Sequence, residues 1–584
     1  MASYDLIIRN GTIVDGTGAP RFTGDVAVKD GLIAAVGTVN GSATREIDAA
    51  GKIVAPGWVD VHTHYDGQAT WDQEMAPSSW HGVTTVVMGN CGVGFAPAAP
   101  DRHEWLIGLM EGVEDIPGTA LAEGMKWNWE TFPEYLDALE ALPRTVDVGT
   151  HVPHGAVRAY VLGDREQPGA VPTAEDIKKM ADIVEDGVRA GALGFSTSRT
   201  VLHRSIDGEL VPGTTATEEE LVEIGRAMGR VGYGVFEMAS DLRREWNEFG
   251  WMGQISRETG LPVTFAALQS IAKEQPLDEQ IANMRAENDN GANIVAQIAL
   301  RGNGIIMAWQ GTVHPFRLRP SWQAIADLPW DQQKAKLLDP AFKAQLLSEA
   351  SDYSQVPEDI IGISMVVSGG WTMQFEMDPD FDYEPQADAS IAARAAAAGV
   401  SGDEYAYDLL CRDDGKGFIY LPILNYADGN LDFLEALQQS DDTVNSLSDG
   451  GAHCGTICDA ASPTFMLQHW VRDRKRGGRI SLENAVKRQC RDTARLYGLN
   501  DRGILAPGYL ADINVIDLDK VKLGKPWLAF DLPAGGKRLL QKAEGYVCTI
   551  KTGVVTFEDG KWTGATPGGL IRGPQQVEML EAAE

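Results

Sequence analysis

Apolar and polar positions alternate with a period of two at both ends of the chain, whereas the middle carries short continuous apolar runs separated by helical periodicities. Residues 4–14 alternate around Asn10-Gly11 and residues 25–36 around Asp30-Gly31, which predicts two hairpins whose turns need positive φ. So few strands cannot stand alone. Their missing partners are predicted at 511–516, at 547–555 and around the Asp559-Gly560 turn. The two termini, 1–56 and 501–584, are therefore expected to build one β-sandwich domain.

Between them lie eight apolar runs, at 58–61, 84–88, 145–148, 192–195, 234–236, 262–268, 294–300 and 444–447. Runs of this length with turn signals around them suit buried parallel strands, and the segments between them are mostly helical in pattern. Thr173 and Thr217 each precede an acidic residue three positions on, Asp176 and Glu220, which predicts capped helix starts. The expected fold is α/β, a (β/α)8 barrel over 57–500. An open doubly wound sheet is the alternative, disfavoured because no glycine-rich phosphate loop follows the first run. The stretch 302–443 between the last two runs far exceeds an ordinary βα unit of roughly 30 residues. It reads as an insertion with helices or helix starts at 329–332, 342–350 and 391–400, expected to wall the substrate pocket or act as a lid.

The 584 residues exceed what one core supports, which agrees with at least two structural units. Fifty Lys and Arg against 83 Asp and Glu leave a formal charge of −33, a field that repels nucleic acid and anionic membranes. No apolar stretch reaches spanning length and residues 1–15 lack signal-peptide features, so a cytoplasmic protein is expected. The six cysteines follow no disulfide spacing, and reduced thiols are expected.

The chemistry concentrates where the apolar runs end. Val54 to Asp66 reads Val-Ala-Pro-Gly-Trp-Val-Asp-Val-His-Thr-His-Tyr-Asp, and residues two apart on a strand point to the same side, so His62 and His64 can reach one metal ion. The other run ends supply Cys91, His151, His154, Ser196, Glu237, Gln269 and Asp449. Neutral imidazoles, a thiolate and carboxylates suit zinc better than magnesium or calcium, and zinc lowers the pKa of its bound water to about 7. Asp449 alone would read as a turn residue of Ser-Asp-Gly-Gly; its place after the eighth run argues for a role at the site. His314 and His453 also fall near run ends, without a feature that separates ligand from bystander, and His81, His103 and His469 read as structural.

The His-x-His stretch, with Gly89-Asn90-Cys91-Gly92, His154-Gly-Ala-Val-Arg158, Gly194-Phe-Ser-Thr197 and Ser448-Asp449-Gly450, resembles the amidohydrolase superfamily in its N-acyl-D-amino-acid deacylase branch. Gly503 to Asp512 resembles the segment by which that superfamily re-enters its sandwich. The resemblance implies a zinc-dependent hydrolase of a linear amide, most plausibly an N-acyl D-amino acid. It implies attack by metal-bound hydroxide, Asp449 as proton shuttle and Cys91 as a metal ligand. Where those deacylases have two further metal-binding histidines, after strands five and six, this chain has Glu237 and Gln269. The expected ligands are therefore His62, His64, Cys91, Asp449 and Glu237, with one zinc per chain favoured and two allowed.

For the substrate, His154 and Arg158 match the family's Gly-His-x-x-x-Arg stretch, although Pro153 stands for its first Gly. Arg199 and His203 lie in a basic loop beyond Ser196. Together with Ser196 and Gln269 these residues are the expected substrate contacts, with the basic groups trapping a carboxylate. The expected partner is a small amide bearing a carboxylate, and a homo-oligomer is compatible with the sequence. Two alternatives remain: a cyclic-amide or lactone hydrolase or another metal-assisted reaction on the same fold, and a catalytically silent binding protein.

Overall fold

The computed structural model describes residues 2–167, 169–270 and 275–577. Eight parallel strands occupy the middle of the chain: β1 (Trp58–Asp60), β2 (Val83–Met88), β3 (Asp147–Pro153), β4 (Gly194–Arg199), β5 (Val235–Ser240), β6 (Val263–Ala266), β7 (Ile294–Ile298) and β8 (Thr443–Asn445). They pair in sequence order, and the two edges meet beyond β1 and β8 through a parallel bridge between Thr63 and Gly450. This is the arrangement of a TIM-type barrel.

Each expected run coincides with a strand, but β3, β4 and β5 extend four or five residues past where their runs end. The extra residues include His151, Ser196, Thr197 and Glu237, all buried. Hydrophobicity stops marking these strands because their carboxyl halves carry buried polar groups.

The helices follow local capping chemistry. Thr173 caps Ala174–Ala190 with a reciprocal box to Asp176, as its spacing predicts. Thr217 caps Glu218–Val231 by accepting the Glu220 N–H, yet the Glu220 side chain turns inward to the barrel.

A nine-stranded sheet joins the two termini, in the order 561–562, 554–558, 546–551, 513–516, 53–56, 4–13, 22–29 and 32–37, with Ala43–Asp48 beside Tyr4–Ile13. Its antiparallel seam between Ile53–Pro56 and Ile513–Ile516 leads directly into β1. The Asp30-Gly31 and Asp559-Gly560 turns form with both residues at positive φ. Asn10-Gly11 does not turn. Asn10 sits at φ 61° inside one continuous strand, where the register with Phe22–Lys29 shifts as at a bulge. The expected strand at 547–555 is instead a hairpin, Tyr546–Lys551 and Val554–Glu558, turned at Thr552-Gly553.

Within the insertion, helices Trp330–Leu337, Pro340–Ser348 and Ile391–Ala398 lie where the pattern places them. An antiparallel sheet of Asn303–Met307, Ile419–Leu424 and Phe375–Glu376 was not expected, since its partners lie far apart in sequence. The insertion packs its own core around Trp309, Phe316, Trp322 and Tyr407.

A buried charge cluster ties the floor of the barrel to the terminal sheet. Asp147 of β3 accepts from Arg502 at 2.6 Å and stands 2.9 Å from Lys551, whose ammonium also meets Asp512 at 2.9 Å. Burial pushes the Asp147 carboxyl up, but Lys551 and Arg502 outweigh it and hold the group at about 2. Asp147→Asn should cost about 2–3 kcal/mol, below the usual figure for a broken buried pair because Asp501 and Asp512 still serve the cations. A carboxyl whose folded pKa is depressed stabilises above its unfolded pKa and loses that contribution as pH falls. The urea midpoints of native and variant protein should therefore converge as pH drops from about 4 to about 2; a constant gap would show that the ion pairs do not carry it.

Candidate active site

The seam that closes the barrel also builds the site. The His64 N–H donates to Gly450 O at 2.8 Å and the Asp449 N–H to His62 O at 3.1 Å, so the first and last strands hold their loops together residue by residue. His62 and His64 turn their rings to the same side, with centroids 5.4 Å apart. Leu447 and Asp449 both lie at positive φ, 57° and 49°, a costly conformation that the seam enforces.

Cys91 enters from the turn after β2, itself at φ 56° between Gly89 and Gly92. A Cβ on Gly92 would come within 2.8 Å of the Ser198 nitrogen, so only glycine lets this turn press against β4. Four side chains fix it. Asn90 donates to Thr63 O and Val87 O, and Asp66 accepts the Gly89 N–H. Ser196 donates to Gly89 O and accepts the Gly92 N–H, and Glu237 accepts the Cys91 N–H at 3.0 Å.

These loops bring ligand atoms of His62, His64 and Cys91 within 4.8 Å of one another, all buried. His62 Nε2 lies 3.4 Å from Cys91 Sγ, and Asp449 Oδ1 lies 3.5 Å from His62 Nε2 and 3.7 Å from His64 Nε2. On its other side, His62 Nδ1 is 2.7 Å from Gln297 Oε1. Gln297 donates its amide N–H to Thr264 at 3.0 Å, so its oxygen faces the ring and the His62 proton is assigned to Nδ1, freeing the Nε2 lone pair for the cluster. His64 Nδ1 stands 3.3 Å from Glu114 Oε1, and neither atom finds a hydrogen bond among the described residues.

The electrostatics point the same way. Burial pushes the Cys91 thiol and the Glu114 carboxyl well above their ordinary values and raises Glu237 to about 7, while it lowers His64 to about 4. Burial also raises Asp449, but His64, His62 and His453 hold it well below the usual carboxylate range. Several acids thus face one largely buried space in which His64 resists protonation. A dication would stabilise their ionised forms, and two imidazoles, a thiol and a carboxylate are a zinc-type donor set.

A profile of the amidohydrolase family matches residues 45–344 and 412–557. The chain belongs to that family. Among its relatives, an N-acyl-D-glutamate deacylase of Alcaligenes xylosoxydans xylosoxydans is 33% identical over 538 residues, covering 91% of each chain. An uncharacterised protein of Mycobacterium tuberculosis is 27% identical over 611 aligned positions, covering all of this chain and 96% of its own. A solved D-aminoacylase, described with a binuclear metal centre, superposes with a TM-score of 0.63 at 24% identity over 97% of this chain and 100% of its own. The N-acyl-D-glutamate deacylase of Bordetella bronchiseptica, complexed with zinc and a phosphonate inhibitor, gives 0.62 at 23% over 97% and 99%. At such identities the structural likeness speaks for the fold alone, and it agrees with the expected barrel. This amidohydrolase is a metal-dependent hydrolase of carbon–nitrogen bonds, and its likeness to the D-aminoacylase branch agrees with the motifs.

The structure does not bring every expected residue to the cluster. Glu237 is not beyond β5 but within it, paired between Ser196 and Thr264, with Oε1 3.9 Å from His62 Nδ1. Gln269 lies past the end of β6 and is spent on Asp428 at 2.7 Å and on the Ala427 N–H, anchoring the returning insertion. His154 and Arg158 are buried against Glu220, at 2.9 and 2.6 Å, and Arg199 is held by Glu248 at 2.8 Å. Their charge is already matched, so the expected carboxylate trap does not form from them. Ser196 serves the Cys91 turn. His203 lies near enough to feel His453, His64 and Asp449; burial and those neighbouring histidines lower it to about 3. His314 packs between Trp309 and Trp322 in the insertion, away from the site.

Two residues at the cluster escaped the sequence reading. Gln297 is a polar interruption of the apolar run Ile294-Val-Ala-Gln-Ile298, a visible signal for an inward-facing role. Glu114 ends helix His103–Glu114 on the buried side that carries Leu106, Leu109, Met110 and Val113, and its Oε2 lies 3.5 Å from His453 Nε2. Groups that orient metal-binding histidines typically matter 10- to 100-fold in affinity. Gln297→Leu and Glu114→Gln should therefore each weaken metal binding by about 10- to 100-fold in chelator competition. Native affinity in both would show that neither orients its histidine.

Proposed function

We propose that this amidohydrolase cleaves the linear amide of an N-acyl D-amino acid, using one zinc ion held by His62, His64, Cys91 and Asp449. The observation that carries the proposal is the buried convergence of His62, His64 and Cys91, with Asp449 within 3.7 Å of both imidazoles. Zinc bound there would polarise the amide carbonyl and make water acidic enough to attack at neutral pH. Asp449, ionised despite its burial, takes the proton of the attacking water and delivers it to the departing amine. Glu237 would brace the site through the Cys91 N–H rather than hold the ion, with its other oxygen 3.9 Å from His62 Nδ1. With Gln269 engaged elsewhere, one ion per chain is favoured over two.

The acyl D-amino acid class rests on the deacylase relatives. A carboxylate on the substrate would be met by a ring N–H of the neutral His203 and by His453, not by Arg158 or Arg199, whose charges are already paired. We further propose that the chain is organised as a β-sandwich from 1–56 and 501–584 around a barrel from 57–500, with the insertion at 302–443 walling the substrate pocket, in a cytoplasmic protein. Among the described residues no helix is long and apolar enough to cross a membrane.

Turnover of a panel of N-acyl D- and L-amino acids, hydantoins and lactones by zinc-loaded protein tests the reading. Hydrolysis should be confined to N-acyl D-amino acids, and activity on the cyclic substrates alone would replace the linear-amide assignment. His62→Ala and His64→Ala should abolish both bound zinc and turnover while the fold persists. Asp449→Asn should keep most of the zinc yet lose about 10²- to 10⁴-fold in kcat, the range of a lost general base. Turnover like the native enzyme's in the Asn variant would remove Asp449 from the proton transfer.

A further inference from the structure

Lined by none of the proposed metal ligands, a cavity of about 430 Å³ opens between residues 377–384, the π-helical segment Met466–Asp473 with the loop that follows it, and residues 522–526. In a chain carrying −33, its walls hold seven cationic side chains. Five of them come from the single stretch Arg472-Asp-Arg-Lys-Arg-Gly-Gly-Arg479.

The pairing of these charges separates a structural set from a free one. Arg474 is buried and satisfied by Glu384, Asp432 and Glu435. Arg472 is matched by Asp473, and Lys522 by Asp380. The remaining four form no salt bridge among the described residues, although Arg479, after Arg472, helps hold the Asp473 carboxyl below its ordinary value. Arg476 donates only to neutral oxygens, those of Glu384 O, Gly429 O and the Tyr426 hydroxyl. Arg479 donates to Arg474 O, and Lys525 stands 5.7 Å from the centroid of the Phe418 ring. Lys475 is exposed and makes no contact of either kind.

The same wall carries five carboxylates against its seven Lys and Arg side chains, with Asp380 and Asp473 paired to Lys522 and Arg472. Glu384 also takes His469 at 3.0 Å, and Asp378 and Asp382 accept the N–H groups of Asp380 and Glu384. Four cations outside any salt bridge, lining a concavity of small-molecule size, are what a multivalent anion requires. The acidic surface around them repels an extended polyanion, which leaves a compact ligand. A π-helical wall agrees with a functional site, because such turns carry a cost that is commonly kept where a site needs them.

We propose that this cavity is a second binding site, distinct from the metal centre, for a small multivalent anion: a phosphate ester or a polycarboxylate held by Lys475, Arg476, Arg479 and Lys525. The site also touches the barrel. Tyr383 on its wall lies under Arg301, at 4.0 Å from the ring centroid, and Arg301 follows β7 and pairs at 2.7 Å with Asp459 on the segment that continues from Asp449.

Calorimetric titration of the full-length, zinc-loaded protein with inorganic phosphate, glycerol phosphate and citrate tests the proposal. At least one probe should bind with a stoichiometry of one. Lys475→Gln combined with Arg479→Gln and Lys525→Gln, all at exposed or half-exposed positions, should weaken that binding at least tenfold while leaving zinc content and kcat unchanged. Arg476→Gln, assayed separately because that side chain also braces its loop, should weaken it as well. Binding of the phosphates with citrate silent identifies a phosphoryl ligand, and the reverse a polycarboxylate. Absence of binding by all three probes would overturn the proposal. So would equal binding by the triple variant, or loss of binding in His62→Ala, which would place the anion at the metal centre.

Discussion

The active site depends on one short seam. Two backbone hydrogen bonds, from His64 to Gly450 and from Asp449 to His62, join loops that are nearly 400 positions apart in sequence, and they position three of the four proposed ligands. Because each bond is made by a ligand residue's own backbone, closing the barrel and assembling the site are a single event. The positive φ values at Leu447 and Asp449 are tolerable for the same reason: the seam over-determines the loop. Ser448 reinforces it by donating to Asp60 and to His62 O, so the strand before the histidines also braces the loop of Asp449.

The seam has an electrostatic consequence. It places Asp449 near Glu114, Glu237 and Cys91 in a largely buried space, where those three acids resist ionisation and His64 resists protonation while the neighbouring imidazoles hold Asp449 ionised. A metal ion resolves that conflict, and the groups behind the ligands are arranged to serve it: Gln297 behind His62, Glu114 behind His64, and Ser196 with Asp66 behind the Cys91 turn. Farther out the arginines have a different task. Arg158 and Arg199 are locked to Glu220 and Glu248, stiffening the helices behind β3 to β5 rather than meeting a ligand.

What could be read from the sequence follows from which interactions are local. The His62-Thr63-His64 motif, the eight apolar runs and the Thr173 cap are short-range patterns, and each lies where expected. The ends of β3 to β5 were hidden because they carry buried polar residues, so hydrophobicity no longer marks the strand. Asn10-Gly11 has the composition of a turn but forms a bulge, since only its pairing with Phe22–Lys29 decides between them. Glu114 and the partners of Arg158 were out of reach for a stronger reason. Nothing local says whether a buried charge will meet an acid across the barrel or a ligand at its mouth.

Anomalous diffraction at the zinc absorption edge, from crystals grown with zinc, tests the central claim most directly. The account predicts one strong peak per chain enclosed by His62, His64, Cys91 and Asp449, with Gln297 and Glu114 behind the two imidazoles. Two peaks of equal strength, or a single peak that lacks Cys91 or Asp449 as a neighbour, would contradict it.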